Sequence, residues 1–202
     1  MNYQKANRII NHATLKNDSR PVLTRPYHDV EKNKLVAADG FRMAIIDVDP
    51  LIDEFPDYAR LIPSTYKVIL EFDIADLLEV AQIMAAGAKG GVVRTYLEER
   101  RLMFETTTNL MLNAKDMATV SISMLCEVIE DAREDGEEVK AAISSQYLLD
   151  CARAMKLVSE DGNKTAFEKC TLQINTCTDP ITFRMKDYIE VITPMFVNWE
   201  AK

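Results

Sequence analysis

Residues 66–86 read YKVILEFDIADLLEVAQIMAA. The first eight alternate. Val68, Leu70 and Phe72 fall on one side and Lys67, Ile69 and Glu71 on the other, the period-2 pattern of a strand with one buried face. From Ile74 the apolar positions change to helical spacing, with Asp73 at the junction as the expected N-cap. The run GAKGG (87–91) predicts the end of that helix, because glycine takes the left-handed conformation that closes a last turn. VVRTYLEE (92–99), RRLMFETTT (100–108) and LMLNAKDMATVSISML (110–125) then read as strands. The order strand, helix, three strands is the unit from which the fold follows.

The unit recurs in both directions. VKAAIS (139–144) predicts a strand. Ser144 or Ser145 is placed to cap the helix QYLLDCARAMKLV (146–158), and SEDGNK is a turn. FEKCTLQINT, ITFRMKD and YIEVITPM predict three closing strands. The acidic segment CEVIEDAREDGEE between the two units reads as a short helical turn or a loop. Toward the N-terminus, YQKANRIINHATLK (3–16) carries Ala6, Ile9, Ile10 and Ala13 at helical spacing. RPVLTRPYHDV, KLVAADGF and RMAIIDV follow as three short strands. That first copy lacks the leading strand, which leaves a sheet edge expected to invite a partner.

Three copies at a period of roughly 60 residues predict an α+β fold, with helices on one face of antiparallel sheets. The expected division is a half-domain at 1–49, a connector at 50–65, and a complete domain at 66–202 made of two half-domains (66–138 and 139–202).

Composition narrows the function. The 202 residues are 48% hydrophobic and 28% charged, ordinary values for a globular protein. No apolar run approaches the ~20 residues of a membrane span, and residues 1–20 lack a secretory pattern, so a cytoplasmic location is expected. A net charge of −8 argues against nucleic-acid binding by the whole surface and leaves room for a local basic face. Cys126, Cys151, Cys170 and Cys177 form no CxxC pair, and the only histidines are His12 and His28. Buried, reduced thiols are therefore expected, with no zinc site and no cofactor. The chain has no P-loop and no dinucleotide fingerprint, and Ser144 and Ser145 have no His–Asp pattern near them in sequence. The acidic run EDAREDGEE lacks EF-hand spacing.

The connector holds EFPDYARLIP (54–63), an unusual concentration of aromatics and prolines for a linker. Together with three further motifs it resembles the bacterial beta sliding clamp, the processivity subunit of DNA polymerase III. AADGFRMAI is similar to the Thr-Asp-Gly-His-Arg-Leu-Ala motif of that family's middle domain. EFPDYARLIP resembles the segment joining the middle and last domains. SSQYLLDCARAMK resembles the second helix of the last domain, and DYIEVITPM the C-terminal strand. The resemblance covers half of the middle domain and the whole of the last.

The resemblance implies a non-enzymatic replication protein with a hydrophobic pocket for short linear peptides of polymerase, clamp-loader or repair partners. Carried over by position, the pocket comprises Leu23, Gly40, Phe41, Arg42 and Met43 from the first unit. The connector adds Pro56, Arg60 and Leu61, and the last strand adds Val191, Ile192, Thr193, Pro194 and Met195. Methionine and aliphatic residues suit an apolar anchor, and the prolines limit the ordering left to do on binding. Phe41, Ala38 and Thr193 depart from the family's His, Thr and Met and change the polarity and reach of the wall. Each residue also has a plainer reading: Leu23, Val191 and Ile192 as sheet core, Gly40 as a bend, Arg42 and Arg60 as surface ion pairs.

The resemblance further implies helices facing duplex DNA, through Lys5, Arg8 and Lys16 on the first and Arg153 and Lys156 on the last. The middle helix opens on Asp73, Asp76 and Glu79 and adds no cation there. About four copies would supply the helices of a complete ring, so a homo-oligomer is expected. The alternative is a truncated relative or decoy that binds clamp-binding peptides without encircling DNA. A third reading, an α+β enzyme with an accidental likeness, would need a cleft of perturbed titratable groups.

Overall fold

The computed structural model describes residues 1, 3–17, 19–49, 59–88, 91–98, 100–109, 117–134, 137–159, 168–197 and 199. Helix α1 (Tyr3–Ile10) is followed by β1 (Tyr27–Asp29), β2 (Lys34–Ala38) and β3 (Arg42–Asp47). The second unit comprises β4 (Val68–Asp73), α2 (Ile74–Ala88), β5 (Val92–Glu98), β6 (Arg101–Asn109) and β7 (Met117–Leu125). A further strand, β8 (Glu127–Asp131), precedes the third unit: β9 (Lys140–Ser144), α3 (Ser145–Ser159), β10 (Lys169–Ile174), β11 (Ile181–Met185) and β12 (Tyr188–Ile192).

Among the described residues the strands form two antiparallel sheets. One has eight strands in the order β1-β2-β3-β12-β11-β10-β4-β8, the other four in the order β7-β6-β5-β9. The second and third units exchange their leading strands: β4 pairs with β10, and β9 pairs with β5. Such an exchange makes neither unit's sheet complete without the other. The first unit joins through β3, which pairs with β12 and extends the third unit's sheet.

The helices cover one face. In α2, Leu77, Val80, Ala81 and Met84 are buried, and in α3 Leu148, Cys151, Ala152, Met155 and Val158. They share one apolar core with Leu70, Phe72, Phe104, Phe183 and Tyr188 of the sheets. Ala6, Ile9 and Ile10 of α1 enter the same core. The alternation of β4 is realised as buried Val68, Leu70 and Phe72 against half-buried Ile69 and Glu71.

Several expected elements differ. The segment RPVLTRPYHDV is not one strand. Pro21–Leu23 forms a 3-10 turn closed by Thr24, whose Oγ1 donates to the Pro21 carbonyl at 2.8 Å, and only Tyr27–Asp29 is extended. Pro21 and Pro26 supply no ladder N–H, so the sheet edge begins after them. The first helix stops at Ile10 and passes through a 3-10 turn, Asn11–Ala13, where Thr14 Oγ1 donates to the Asn11 carbonyl. The acidic segment supplies β8, laid against β4 with a register shift between Ile69 and Leu70. Its Val128 packs on the core while Glu127, Ile129, Glu130 and Asp131 are exposed. Two adjacent apolar side chains, of which only Val128 packs inward, give no alternation for sequence reading. Ser145 opens α3 with its hydroxyl buried and unpartnered, so it does not cap the helix by its side chain. Cys126, Cys151 and Cys170 are buried free thiols and Cys177 is exposed. No described helix is long and apolar enough to cross a membrane.

Candidate functional site

The seam between β3 and β12 gathers most of the sequence-predicted pocket residues, and a tight turn sets its geometry. Asp39 Oδ1 accepts the backbone N–H groups of Phe41 (2.9 Å) and Arg42 (3.1 Å), closing a turn around Gly40. Gly40 has φ +98°, a conformation that side chains resist, and a Cβ there would meet Arg20 Nη1 at 3.4 Å. Gly40→Ala is expected to destabilise the protein by somewhat more than ~1 kcal/mol. Urea unfolding should show a lower midpoint at an unchanged slope.

Beyond the turn, β3 and β12 run antiparallel with Met43 opposite Val191 and Arg42 opposite Ile192. The ladder continues past the strand end, where the Thr193 N–H donates to the Phe41 carbonyl at 2.9 Å. Successive side chains point to opposite faces. Met43 and Val191 therefore share the face turned away from the helices. There they form a second apolar cluster with Val36 and Ile45, against which Ala38, Ile189 and Ile62 of the connector pack. The chain neighbours of this cluster are exposed: Phe41 at 64%, Leu61 at 59% and Met195 at 43%. The four cluster residues are themselves buried, so the apolar surface offered near them in sequence is that of Phe41, Leu61 and Met195.

The opposite face of the same seam is a polar hub. Arg42 is buried, and each guanidinium nitrogen has its own partner. Nε donates to Asp39 Oδ2 (3.1 Å), Nη1 to Asp150 Oδ2 (2.9 Å) and Nη2 to the His12 carbonyl (2.6 Å). Its Cζ lies 4.2 Å from the centre of the Tyr147 ring. Glu190 is fully buried and takes His12 Nε2 at 3.2 Å and the Tyr188 hydroxyl. His12 Nδ1 faces the Ile9 carbonyl at 2.8 Å, which can only accept, so Nδ1 carries a proton. Nε2 meets the Glu190 carboxyl group, and the pair is ionic when the ring takes up a second proton. Burial pulls the His12 pKa down, but the Glu190 charge and hydrogen bond and the Ile9 carbonyl outweigh it, and the pKa ends above 6.5. Burial pushes the Tyr188 hydroxyl and the Cys151 thiol well up, and Glu190 adds to both.

The predicted pocket residues thus divide. Gly40, Phe41, Met43, Val191 and Thr193 come together along the seam, while Met195, past the end of β12, donates its N–H to the Ala142 carbonyl of β9. Arg42 and Ile192 point to the helix side and do not line it; Ile192 belongs to the main core. Pro194 is half-buried between Thr193 and Met195. Arg60 and Leu61 are exposed on a 3-10 turn, Ala59–Leu61, immediately before Ile62. Leu23 is half-buried on its own turn, its carbonyl accepting the Leu15 N–H at 2.8 Å, and is not part of the cluster. Pro56 lies outside the described residues. Sequence reading missed Val36, Ile45, Ile62 and Ile189. The available signal was KLVAA and RMAIID, apolar on both faces, which calls for cover on both sides of the sheet.

Of the predicted DNA-facing residues, Lys5 and Arg8 lie on α1 and Arg153 and Lys156 on α3, while Lys16, expected on the first helix, falls beyond α1 and its 3-10 turn. Arg8, Lys16 and Arg153 are exposed, and Lys5 and Lys156 are half-buried. Lys16 Nζ already donates to the Asn11 carbonyl at 3.0 Å. Lys5 and Arg8 border a recess of about 360 Å³ with Leu157 of α3, which puts one end of each helix together. The helix α2 contributes only Asp76 and Glu79 as charged groups.

No protein-family model and no curated protein matches the sequence. Solved structures match it in shape. The DNA polymerase III beta subunit of Thermotoga maritima superposes with a TM-score of 0.72 at 16% identity, covering 96% of this chain and 63% of that one. The DNA polymerase III beta subunit of Pseudomonas aeruginosa gives 0.72, 16%, 96% and 64%. The DNA polymerase sliding clamp of Bacillus subtilis gives 0.68, 16%, 96% and 63%. The chain therefore has the fold of the bacterial beta clamp over almost all its length, and it spans about 63% of the structures it matches.

Proposed function

We propose that this chain is a clamp-like, non-enzymatic replication protein that holds short linear peptides of polymerase or repair partners on the outer face of the β3–β12 seam. The observation that carries this reading is the cluster of Val36, Met43, Ile45 and Val191, assembled from two units and followed along the chain by exposed Phe41, Leu61 and Met195. In this reading 1–49 is a half-domain docked through 50–65 on a complete domain of two halves, 66–138 and 139–202. The strand β7 ends the four-stranded sheet, and its outer N–H and C=O groups are available to a neighbouring copy in an oligomeric ring.

Anisotropy of a labelled clamp-binding peptide is the test. Saturable binding is expected, and Phe41→Ala with Met195→Ala should weaken it roughly tenfold, the loss of a central apolar anchor. Absence of binding at high micromolar protein would defeat the reading.

A second reading, a peptide-binding relative that does not encircle DNA, is favoured by the charge of the helix layer. The cations Lys5, Arg8, Arg153 and Lys156 share the three helices with the acids Asp76, Glu79 and Asp150. A clamp retains closed circular DNA at high salt and releases it on linearisation, whereas the second reading predicts no retention under either condition.

A further inference from the structure

We propose that Trp199 is a positioning residue for the peptide groove, holding in place the tail that carries Pro194 and Met195. The proposal rests on the groove reading above. After β12 the chain leaves the eight-stranded sheet and crosses to the four-stranded one. Two backbone hydrogen bonds hold the start of the crossing. Thr193 N–H donates to the Phe41 carbonyl at 2.9 Å, and Met195 N–H donates to the Ala142 carbonyl of β9 at 2.7 Å. β9 is the last strand of its sheet, so Met195 occupies a hydrogen-bonding position that a further strand would take.

Four residues later the Trp199 ring lies 5.8 Å from Arg94 Cζ on β5 and 5.5 Å from Lys140 Nζ on β9. It forms one wall of an open recess of about 1060 Å³ that also includes Tyr96 and Glu105. Both cations also have a carboxylate partner: Arg94 faces Glu105 at 3.8 Å and Lys140 faces Glu138 at 2.9 Å. A ring set against two fixed cations gains from its negative faces. Phe196, between the two anchors, is 97% exposed and contributes no burial to the tail's placement. The tail is therefore tied at Met195 and Trp199, and the groove wall at Pro194 and Met195 lies between the seam and that second tie. Without the indole, the wall would have to be ordered by the incoming peptide, which lowers affinity without altering the floor.

Trp199 is the only tryptophan, so its fluorescence reports on the tail alone. Peptide affinity, iodide quenching of Trp199 and the melting temperature would be measured for the wild type, with affinity and melting also for Trp199→Ala and Trp199→Phe. Peptide is expected to protect Trp199 from quenching. Trp199→Ala should weaken the peptide about 3- to 10-fold, the cost of ordering one to two side chains. Trp199→Phe should recover most of that loss, and melting should not move. Peptide binding that is unchanged in Trp199→Ala overturns the proposal and leaves the groove standing. Equal losses in both variants accompanied by lower melting also overturn it, as they indicate a structural role. A wild type that binds no peptide removes the groove and the proposal together.

Discussion

Glu190→Ala is expected to lower the unfolding free energy by about 3–5 kcal/mol, the usual cost of removing one partner of a buried charge pair. Glu190 is fully buried, and His12 and the Tyr188 hydroxyl converge on its carboxylate. Its removal leaves an imidazolium facing Arg42 with no counter-charge, and it orphans the Tyr188 hydroxyl. Calorimetry or urea unfolding would measure the loss. A cost under ~1 kcal/mol would mean that His12 is neutral and the pair is not ionic.

The same pair carries a pH signature. The pKa of His12 in the folded protein is raised above its ordinary 6.5. A raised folded pKa contributes stability that is fully present below pH 6.5 and is lost as pH rises through the folded value. His12→Asn should remove that segment of the stability–pH curve and leave the acid limb, governed by surface carboxylates, in place. Identical curves for wild type and His12→Asn would refute the assignment.

Arg42→Ala is the second large effect, again about 3–5 kcal/mol, since it leaves the carboxylates of Asp39 and Asp150 partly buried without their shared cation. The guanidinium spans three chain segments: its own turn through Asp39, the 3-10 turn after α1 through the His12 carbonyl, and α3 through Asp150. It is thus a tie between the first unit and the third. Arg42→Lys should recover little, because one ammonium cannot serve three directions and stack on Tyr147. Hydrogen exchange should then accelerate in β2 and β3 before it does in β10 and β11. A uniform acceleration across the eight-stranded sheet would show that the first unit does not open separately. A double-mutant cycle with Asp150→Ala isolates the tie to α3.

Much of this was legible in the chain. The change from period 2 at Val68–Phe72 to helical spacing after Ile74 located β4 and α2, because a strand and a helix bury their faces at different intervals. The same change located β9 and α3. Gly40 read as a bend in the sequence, and the structure has a turn there with the glycine at positive φ. The clamp fold was legible because four motifs stood in order among these elements.

What the sequence did not carry was direction and partnership. It put Arg42 and Met43 side by side in a candidate pocket. Only pairing with β12 in one register sends Met43 to the outer cluster and Arg42 into the hub, since a single-residue slip would invert both. It offered His12 as one of two isolated histidines and Glu190 as one acid in a strand, 178 residues apart. Local patterning is written into adjacent residues, and the sequence by itself determined the units, their order and their turns. The exchange of β4 and β9 between units, the β3–β12 seam and the placement of Trp199 against Arg94 and Lys140 depend on contacts between distant segments. Those were decided by which apolar faces and charges had to be covered once the chain was folded.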